Sequence, residues 1–200
     1  MYTPVSIPLI FPKIVPNDWD EWWKLWNNYK KFVPRINTSK NAKAVPWIGF
    51  DVYVKDGVDS THSSKYKCEN VNCPELFNSL FDNLDKLPID LQVVRILQSL
   101  TEVAPHHDYA DQYSIRSLLY DDNPKQTWLY ENDKKDIEYL RMPSDTNTWC
   151  YDDVKVKHGT KFTRGFSKQL VLYYGIPKEP DLTTLIDDSI KKYSDYVIYL

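Results

Sequence analysis

Several kinds of segment and residue are scarce in this chain of 200 residues, and each shortage excludes a class of protein. No stretch of about 18 apolar residues occurs, so the sequence predicts no membrane-spanning helix. Three cysteines are too few for a fold held together by disulfide bonds, and they favour a reducing, cytoplasmic setting. A net charge of −3 argues against a nucleic-acid partner, although one or two local cations can still hold a small anion.

Apolar residues, by contrast, are plentiful enough for a packed core. They make up 42% of the chain against 26% charged residues, which argues against disorder. Residues 1–16 are apolar but interrupted by prolines and lack a basic start, so they predict an extended arm lying on the domain rather than a signal peptide. Lysine greatly outnumbers arginine, as in AT-rich genomes, which hints at a virus or phage and then at the host cytoplasm.

Helical periodicity occurs near both ends of the chain. Apolar residues at helical spacing predict helices over 17–33, 74–86 and 181–193. Asp18, followed three residues later by Glu21, resembles a capping box at the start of the first helix. The tryptophans of that helix recur on one side, which predicts a core-facing aromatic stripe, with a binding face as the alternative.

Alternating apolar residues predict a run of short strands between these helices. The predicted strands cover residues 47–54, 91–103, 113–120, 126–130, 151–158 and 168–174. Many short strands divided by turn residues favour a sandwich or barrel, and helices can cover one face of a sheet.

The order of these elements predicts one α+β, mainly β domain over 1–200. Residues 1–88 form an N-terminal arm and helical support with one strand. Residues 89–176 form the strand core, and residues 177–200 form a C-terminal helix and tail.

A pair of metal-ligand side chains follows the first long β-rich stretch. In an extended segment, residues two apart point the same way, so His106 and Asp108 share a face and His107 points away. A third ligand is needed, and His158 is the candidate because it ends a second alternating stretch. Two histidines and one carboxylate on one face of an octahedron leave three positions open, a geometry diagnostic of iron(II) oxygenases.

At this point the chain resembles a known family. His106-x-Asp108, a distal His158 and a basic residue ten positions later are similar to the motif of the Fe(II)/2-oxoglutarate dioxygenases, over roughly residues 91–175. The resemblance implies a double-stranded β-helix, a jelly-roll or cupin-like barrel with the N-terminal helices packed on one sheet. It also implies iron(II) and 2-oxoglutarate as cofactors, and hydroxylation of a protein side chain or small molecule with release of succinate and CO2.

The same resemblance implies a cation for the distal carboxylate of 2-oxoglutarate. Lys168 matches the basic position of the family's late strand, and a lysine amine is a compact charge on a long stem. Arg164, in an expected hairpin loop, and Arg116, eight residues after Asp108, are the alternatives. Both the prolyl-hydroxylase-like and the aspartyl/asparaginyl β-hydroxylase-like branches fit the motif.

Several residues near the motif are candidates for the cavity wall or, equally, for the core. They are Tyr113, Thr127, Trp128, Tyr130 and Trp149. Thr127 and Tyr130 are predicted on opposite faces of one strand, so at most one of them points inward.

Other interpretations of the sequence stay open. The protein can be a non-catalytic jelly-roll module for binding or structure, of the kind that viruses also use, or a cupin-like enzyme with another metal. The two adjacent histidines can be plain surface residues. A zinc site is a further alternative, with soft ligands drawn from Cys68, Cys73, Cys150 and His62.

Overall fold

The computed structural model describes twelve strands and three helices over ten segments of the chain. These segments are residues 3–29, 47–58, 69–70, 73–99, 103–107, 113–121, 128–131, 137–152, 157–160 and 168–199. The strands are β1 Pro4–Pro8, β2 Trp47–Val54, β3 Glu69–Asn70, β4 Ile89–Ser99, β5 Val103–His106, β6 Tyr113–Asp121, β7 Trp128–Glu131, β8 Ile137–Tyr139, β9 Thr148–Asp152, β10 Lys157–Thr160, β11 Lys168–Pro177 and β12 Ile198–Tyr199. The helices are α1 Trp19–Tyr29, α2 Pro74–Leu84 and α3 Asp181–Lys192.

The strands form two sheets, and the protein is mostly β. The larger sheet has the order β12-β1-β9-β6-β11-β4-β2-β3, and the smaller has the order β5-β10-β7-β8. Neighbouring strands are antiparallel except β2 and β3. From β4 to β11 the chain passes repeatedly between the two sheets, with β5, β7, β8 and β10 in the smaller one. The predicted mainly-β architecture with helices at its ends is therefore confirmed.

The N-terminal helices cover one face of the larger sheet. Trp22 and Trp26 of α1 are almost fully buried, and their indole nitrogens donate hydrogen bonds to Gln169 Oε1 and Gln98 Oε1, each at 3.1 Å. We call the cluster beneath these helices the first core; it includes Phe50, Leu76, Leu80, Val94, Ile96, Val171 and Tyr173. Because Trp22 and Trp26 both pack into the first core, the prediction that the aromatic stripe faces the core is confirmed for these two residues.

The opposite face of the larger sheet carries a second core. It contains Val5, Leu140, Trp149, Leu170, Leu172 and Ile198. Residues of β11 alternate between the two, since Val171 lies in the first core and Leu170 and Leu172 lie in the second. The larger sheet is thus buried on both faces, which explains the unbroken apolar stretch from Leu170 to Tyr174 in β11.

Two predicted strands turn out to be pairs of strands in different sheets. Residues 91–103 divide between β4 and β5, and residues 151–158 divide between β9 and β10. His158 therefore lies within β10 rather than at the end of a long strand. Alternation continued across the junctions because it reports which residues are apolar, not where the chain crosses to another sheet.

The N-terminal arm and the helix ends also differ from the sequence-based prediction. Residues 4–8 do not merely lie on the domain: β1 pairs with β9 on one side and β12 on the other, with its prolines at its two ends. α1 begins two residues later than predicted, α2 and α3 end one or two residues earlier, and residues 30–33 of the first predicted helix lie outside the described residues. Asp18 does cap α1. Its Oδ1 accepts hydrogen bonds from the backbone N–H groups of Asp20 and Glu21, at 2.8 and 3.0 Å. Each helix in the described segments is too short or too polar to cross a lipid bilayer.

A close approach of two strands makes Gly175 sensitive to substitution. The register between β11 and β4 shifts at this residue, and a Cβ placed there would lie 2.6 Å from the backbone oxygen of Asp90. We expect Gly175→Ala to lower the free energy of unfolding by about 1–3 kcal/mol, because the strands must move apart. Urea unfolding measures the change. The control is Ile176→Thr, at a side chain 61% exposed, and an equal loss in both variants would contradict the steric explanation.

Candidate metal centre

The smaller sheet brings two of the predicted metal ligands together. His106 of β5 and His158 of β10 are directly opposite each other across an antiparallel pair. Their ring centroids lie 4.7 Å apart, with an angle of 50° between the ring planes. Opposite residues of such a pair project from the same face of the sheet, so the register itself brings the imidazoles into contact. Fifty-two residues of sequence separate them.

This separation suits two imidazoles that share one octahedral ion. With metal–nitrogen distances of about 2.1 Å, imidazoles at adjacent octahedral positions have centroids about 4.6 Å apart. At a tetrahedral ion the same centroids would be about 5.3 Å apart. The observed 4.7 Å lies near both values, so the two rings are close enough to share one ion.

The two histidines differ in their access to solvent. His158 is 2% exposed, whereas His106 and its neighbour His107 are exposed. A central position explains the burial of His158, because β10 lies between β5 and β7 and places it opposite both His106 and Tyr130. An ion bound here would be anchored on a buried side chain and reachable from the side of His106.

The third predicted ligand, Asp108, lies outside the described residues, two positions after His106. Within the described segments, no three His, Cys, Asp or Glu side chains are grouped so that they could hold a metal ion. That result covers two of the three predicted ligands. The complete triad therefore stays a prediction.

The predicted cations for a carboxylate have different positions. Lys168 begins β11, where its backbone is opposite Ser99 of β4 and Asp121 of β6. Arg116 is only 3% exposed and lies in the middle of β6. Arg164 is outside the described residues.

A row of charged residues beside Arg116 was missed by the sequence-based prediction. Leu172 of β11 lies between Arg116 of β6 and Arg95 of β4 and is opposite both. Arg95 is in turn opposite Asp51 of β2. The Arg95 guanidinium donates two hydrogen bonds to the Asp51 carboxylate, from Nε at 2.6 Å and from Nη2 at 3.2 Å. Asp51 is fully buried and Arg95 nearly so. The available signal was a charged residue in the middle of each of two strongly apolar strands, because such residues need buried partners.

The predicted cavity-wall residues are only partly described. Trp149 is fully buried in the second core and is opposite Arg116. Of the two predicted possibilities, cavity wall or core, Trp149 therefore has the core position. Tyr113, Trp128 and Tyr130 lie in β6 and β7, but their side chains are outside the described part of the structure. Thr127 is outside it altogether.

The cysteines of the alternative zinc site are only partly described as well. Cys73 and Cys150 are both buried and neither forms a disulfide. Burial raises the pKa of Cys73 to about 11 and that of Cys150 to about 12, so both thiols are protonated near neutral pH. Cys68 and His62 lie outside the described residues, and the zinc site stays untested.

Comparisons with known proteins give structural likenesses but no sequence match. The sequence matches no protein-family model and no curated protein. The chain is similar to the crystal structure of an oxidoreductase of the 2OG-Fe(II) oxygenase family from Burkholderia pseudomallei, at 12% identity. The match covers 80% of this chain and 82% of that one, with a TM-score of 0.39. A superposition this loose carries no argument about fold or function.

Proposed function

We propose that this protein is an iron(II)- and 2-oxoglutarate-dependent oxygenase that holds its metal with His106, Asp108 and His158. The observation that carries the proposal is the contact between His106 and His158, whose ring centroids are 4.7 Å apart on neighbouring strands. Asp108 is two residues after His106, and extended backbone would direct its carboxylate toward the same side.

The strand order supports the proposal independently of the histidines. We infer that β4 to β11 form a double-stranded β-helix, in which successive strands roll between two facing sheets. The central order β9-β6-β11-β4 in one sheet and β5-β10-β7-β8 in the other suits this arrangement. In it, the two histidines come from the second and seventh of the eight strands, which are neighbours only because the chain rolls up.

The chain's own residues would bind, orient and shield. Two imidazoles and one carboxylate would hold the ion and would leave it able to take a bidentate co-substrate and oxygen. Bound iron(II) would let dioxygen oxidise both 2-oxoglutarate, to succinate and CO2, and the primary substrate, so that one oxygen atom enters succinate and the other enters the hydroxylated product. Burial of His158 excludes water from one side of the site, and exposure of His106 leaves the other side open to the primary substrate. That substrate is a protein side chain or a small molecule.

Lys168 is the proposed contact for the distal carboxylate of 2-oxoglutarate. It precedes Leu170 by two residues, and Leu170 packs in the second core, so strand alternation leads us to expect Lys168 on that face. Arg116 is the alternative, because Leu172, opposite it, packs in the same core. Either cation would neutralise a carboxylate that burial would otherwise destabilise.

The experiment that tests the proposed function combines two signals. Purified protein is mixed anaerobically with iron(II) and 2-oxoglutarate, and the visible charge-transfer band of the ternary complex is recorded. Oxygen is then admitted and succinate is measured. We expect the band only when both components are present, and succinate even without the primary substrate through uncoupled turnover. Absence of both signals in folded, metal-loaded protein would contradict the proposal.

Replacing the candidate cations one at a time tests which of them binds the distal carboxylate of 2-oxoglutarate. We expect Lys168→Ala to raise the KM for 2-oxoglutarate by at least about tenfold, because a charge-assisted contact of about 1.5–3 kcal/mol is lost. Arg164→Ala is the matched control and should leave the KM nearly unchanged. Initial rates of succinate formation measure both. A larger effect of Arg164→Ala would assign the carboxylate contact to Arg164 instead of Lys168. It would not contradict the proposed metal site.

A further inference from the structure

A cleft lined by tyrosines lies apart from the histidine pair. It has a volume of about 250 Å³, and we call it the tyrosine cleft; its walls are Glu138, Tyr139, Arg141, Tyr196, Val197, Ile198 and Tyr199. None of these residues belongs to the proposed metal site. The cleft combines strand β8 and the segment just after it with the C-terminal strand β12 and the turn before it.

Both strands that border the cleft are the last strands of their sheets. Among the described residues, β8 ends the smaller sheet and pairs with β7, and β12 ends the larger sheet and pairs with β1. A terminal strand has one edge whose backbone N–H and C=O groups can pair with an added segment. Extended peptides bind in this way, with backbone hydrogen bonds giving affinity and side-chain pockets giving specificity.

The aromatic rings of the cleft are unusually exposed. Tyr139, Tyr196 and Tyr199 are 42%, 37% and 43% exposed. One of the rings already faces a cation, because the guanidinium carbon of Arg141 lies 5.9 Å from the centroid of the Tyr196 ring. Arg141 is fixed there by a hydrogen bond from Nη2 to the backbone oxygen of Asp195, at 3.0 Å. The rings of Tyr139 and Tyr199 offer the same kind of surface to a cation from another molecule.

A carboxylate adds the charge that favours such a cation. Glu138 is exposed in the wall of the cleft and, among the described residues, makes no hydrogen bond or ion pair. We propose that the tyrosine cleft binds an extended peptide segment that carries lysine or arginine. The segment adds as a strand at the edge of β8 and places its cationic side chain beside Glu138, while the next residue of the segment lies beside Tyr139, because successive residues of a strand project to opposite faces. This site does not depend on the proposed oxygenase function.

Three matched peptides test the proposal on the intact 200-residue chain. The probe is a capped five-residue peptide of alternating threonine and valine with lysine at its centre. The second peptide has glutamate at the centre, and the third keeps lysine but carries N-methylated amides that cannot pair with a strand. In NMR titrations we expect saturable binding of the lysine peptide, affinity at least about threefold lower for the glutamate peptide, and no saturation for the N-methylated one.

Two cleft variants and one control assign the binding to the cleft. Glu138→Lys should reverse the preference between the lysine and glutamate peptides, and Tyr139→Ala should weaken the lysine peptide about fivefold, because the valine side chains beside the lysine lose an aromatic partner. Phe81→Ala, which removes a 46% exposed aromatic ring from α2, should change neither. The proposal is overturned if the lysine peptide does not saturate at millimolar concentration or if Glu138→Lys leaves the preference unchanged.

Discussion

Replacing His106 by alanine will lower 2-oxoglutarate-dependent succinate formation by at least about 100-fold, because the proposed ion loses a direct ligand. Even residues that only hydrogen-bond to metal ligands typically change metal affinity or activity by about 10- to 100-fold. The same substitution at His107 should leave the rate within about twofold, since alternation directs this side chain away from the metal. His106 and His107 are adjacent and both exposed. The two variants therefore differ mainly in whether the lost imidazole points toward the proposed ion. Succinate formation at saturating iron(II) and 2-oxoglutarate measures the effect.

Metal binding provides a second readout that does not require turnover. Manganese(II) titration followed by electron paramagnetic resonance should show a tight site in the unmodified protein and in His107→Ala, and loss of that site in His106→Ala and His158→Ala. His158→Ala also removes a buried ring, so its folding has to be checked by circular dichroism. If His107→Ala lost metal and activity as fully as His106→Ala, the assignment of ligands by strand alternation would be wrong.

The sequence predicted those features whose signals are local. Asp18 was recognised as a helix cap because an acceptor side chain at the start of a helix meets free backbone N–H groups within three residues. The strand over 47–54 was predicted with its observed bounds, since its alternation ends at the Asp56-Gly57 turn. His106 and His158 were predicted to lie together because the family motif that they resemble brings two distant histidines to one metal ion. Composition and periodicity alone would not pair residues 52 positions apart.

The features that the sequence did not predict depend on contacts between distant segments. The division of 151–158 into β9 and β10 is invisible to periodicity, because the sequence keeps alternating through Val154-Lys155-Val156-Lys157, across the junction of the two strands. The tyrosine cleft joins residues 138–141 to residues 196–199, and nothing in either segment specifies the other. The Asp51–Arg95 ion pair depends on the register between β2 and β4, which the buried faces of the sheet determine only once both strands are assembled.

That ion pair gives the largest expected effect on stability. We expect Asp51→Ala to lower the free energy of unfolding by about 3–5 kcal/mol, because removing one partner leaves the charge of Arg95 buried without its carboxylate. Asp51 is completely buried, and Arg95 is only 11% exposed and donates two hydrogen bonds to it, so water compensates poorly for the lost acceptor in the folded state. Urea unfolding at neutral pH, followed by tryptophan fluorescence, measures the difference.

The chain offers a matched control for this prediction in the same pair of strands. Lys55, just after β2, and Asp90, in β4, form an ion pair at 2.8 Å whose side chains are 43% and 48% exposed. Asp90→Ala should therefore cost far less than Asp51→Ala, because solvent screens an exposed pair and hydrates the remaining charge. In the double variant Asp51→Leu with Arg95→Met, the loss should be smaller than the sum of the single losses, since no buried charge is left alone. Equal losses for Asp51→Ala and Asp90→Ala would show that burial does not set the strength of these ion pairs.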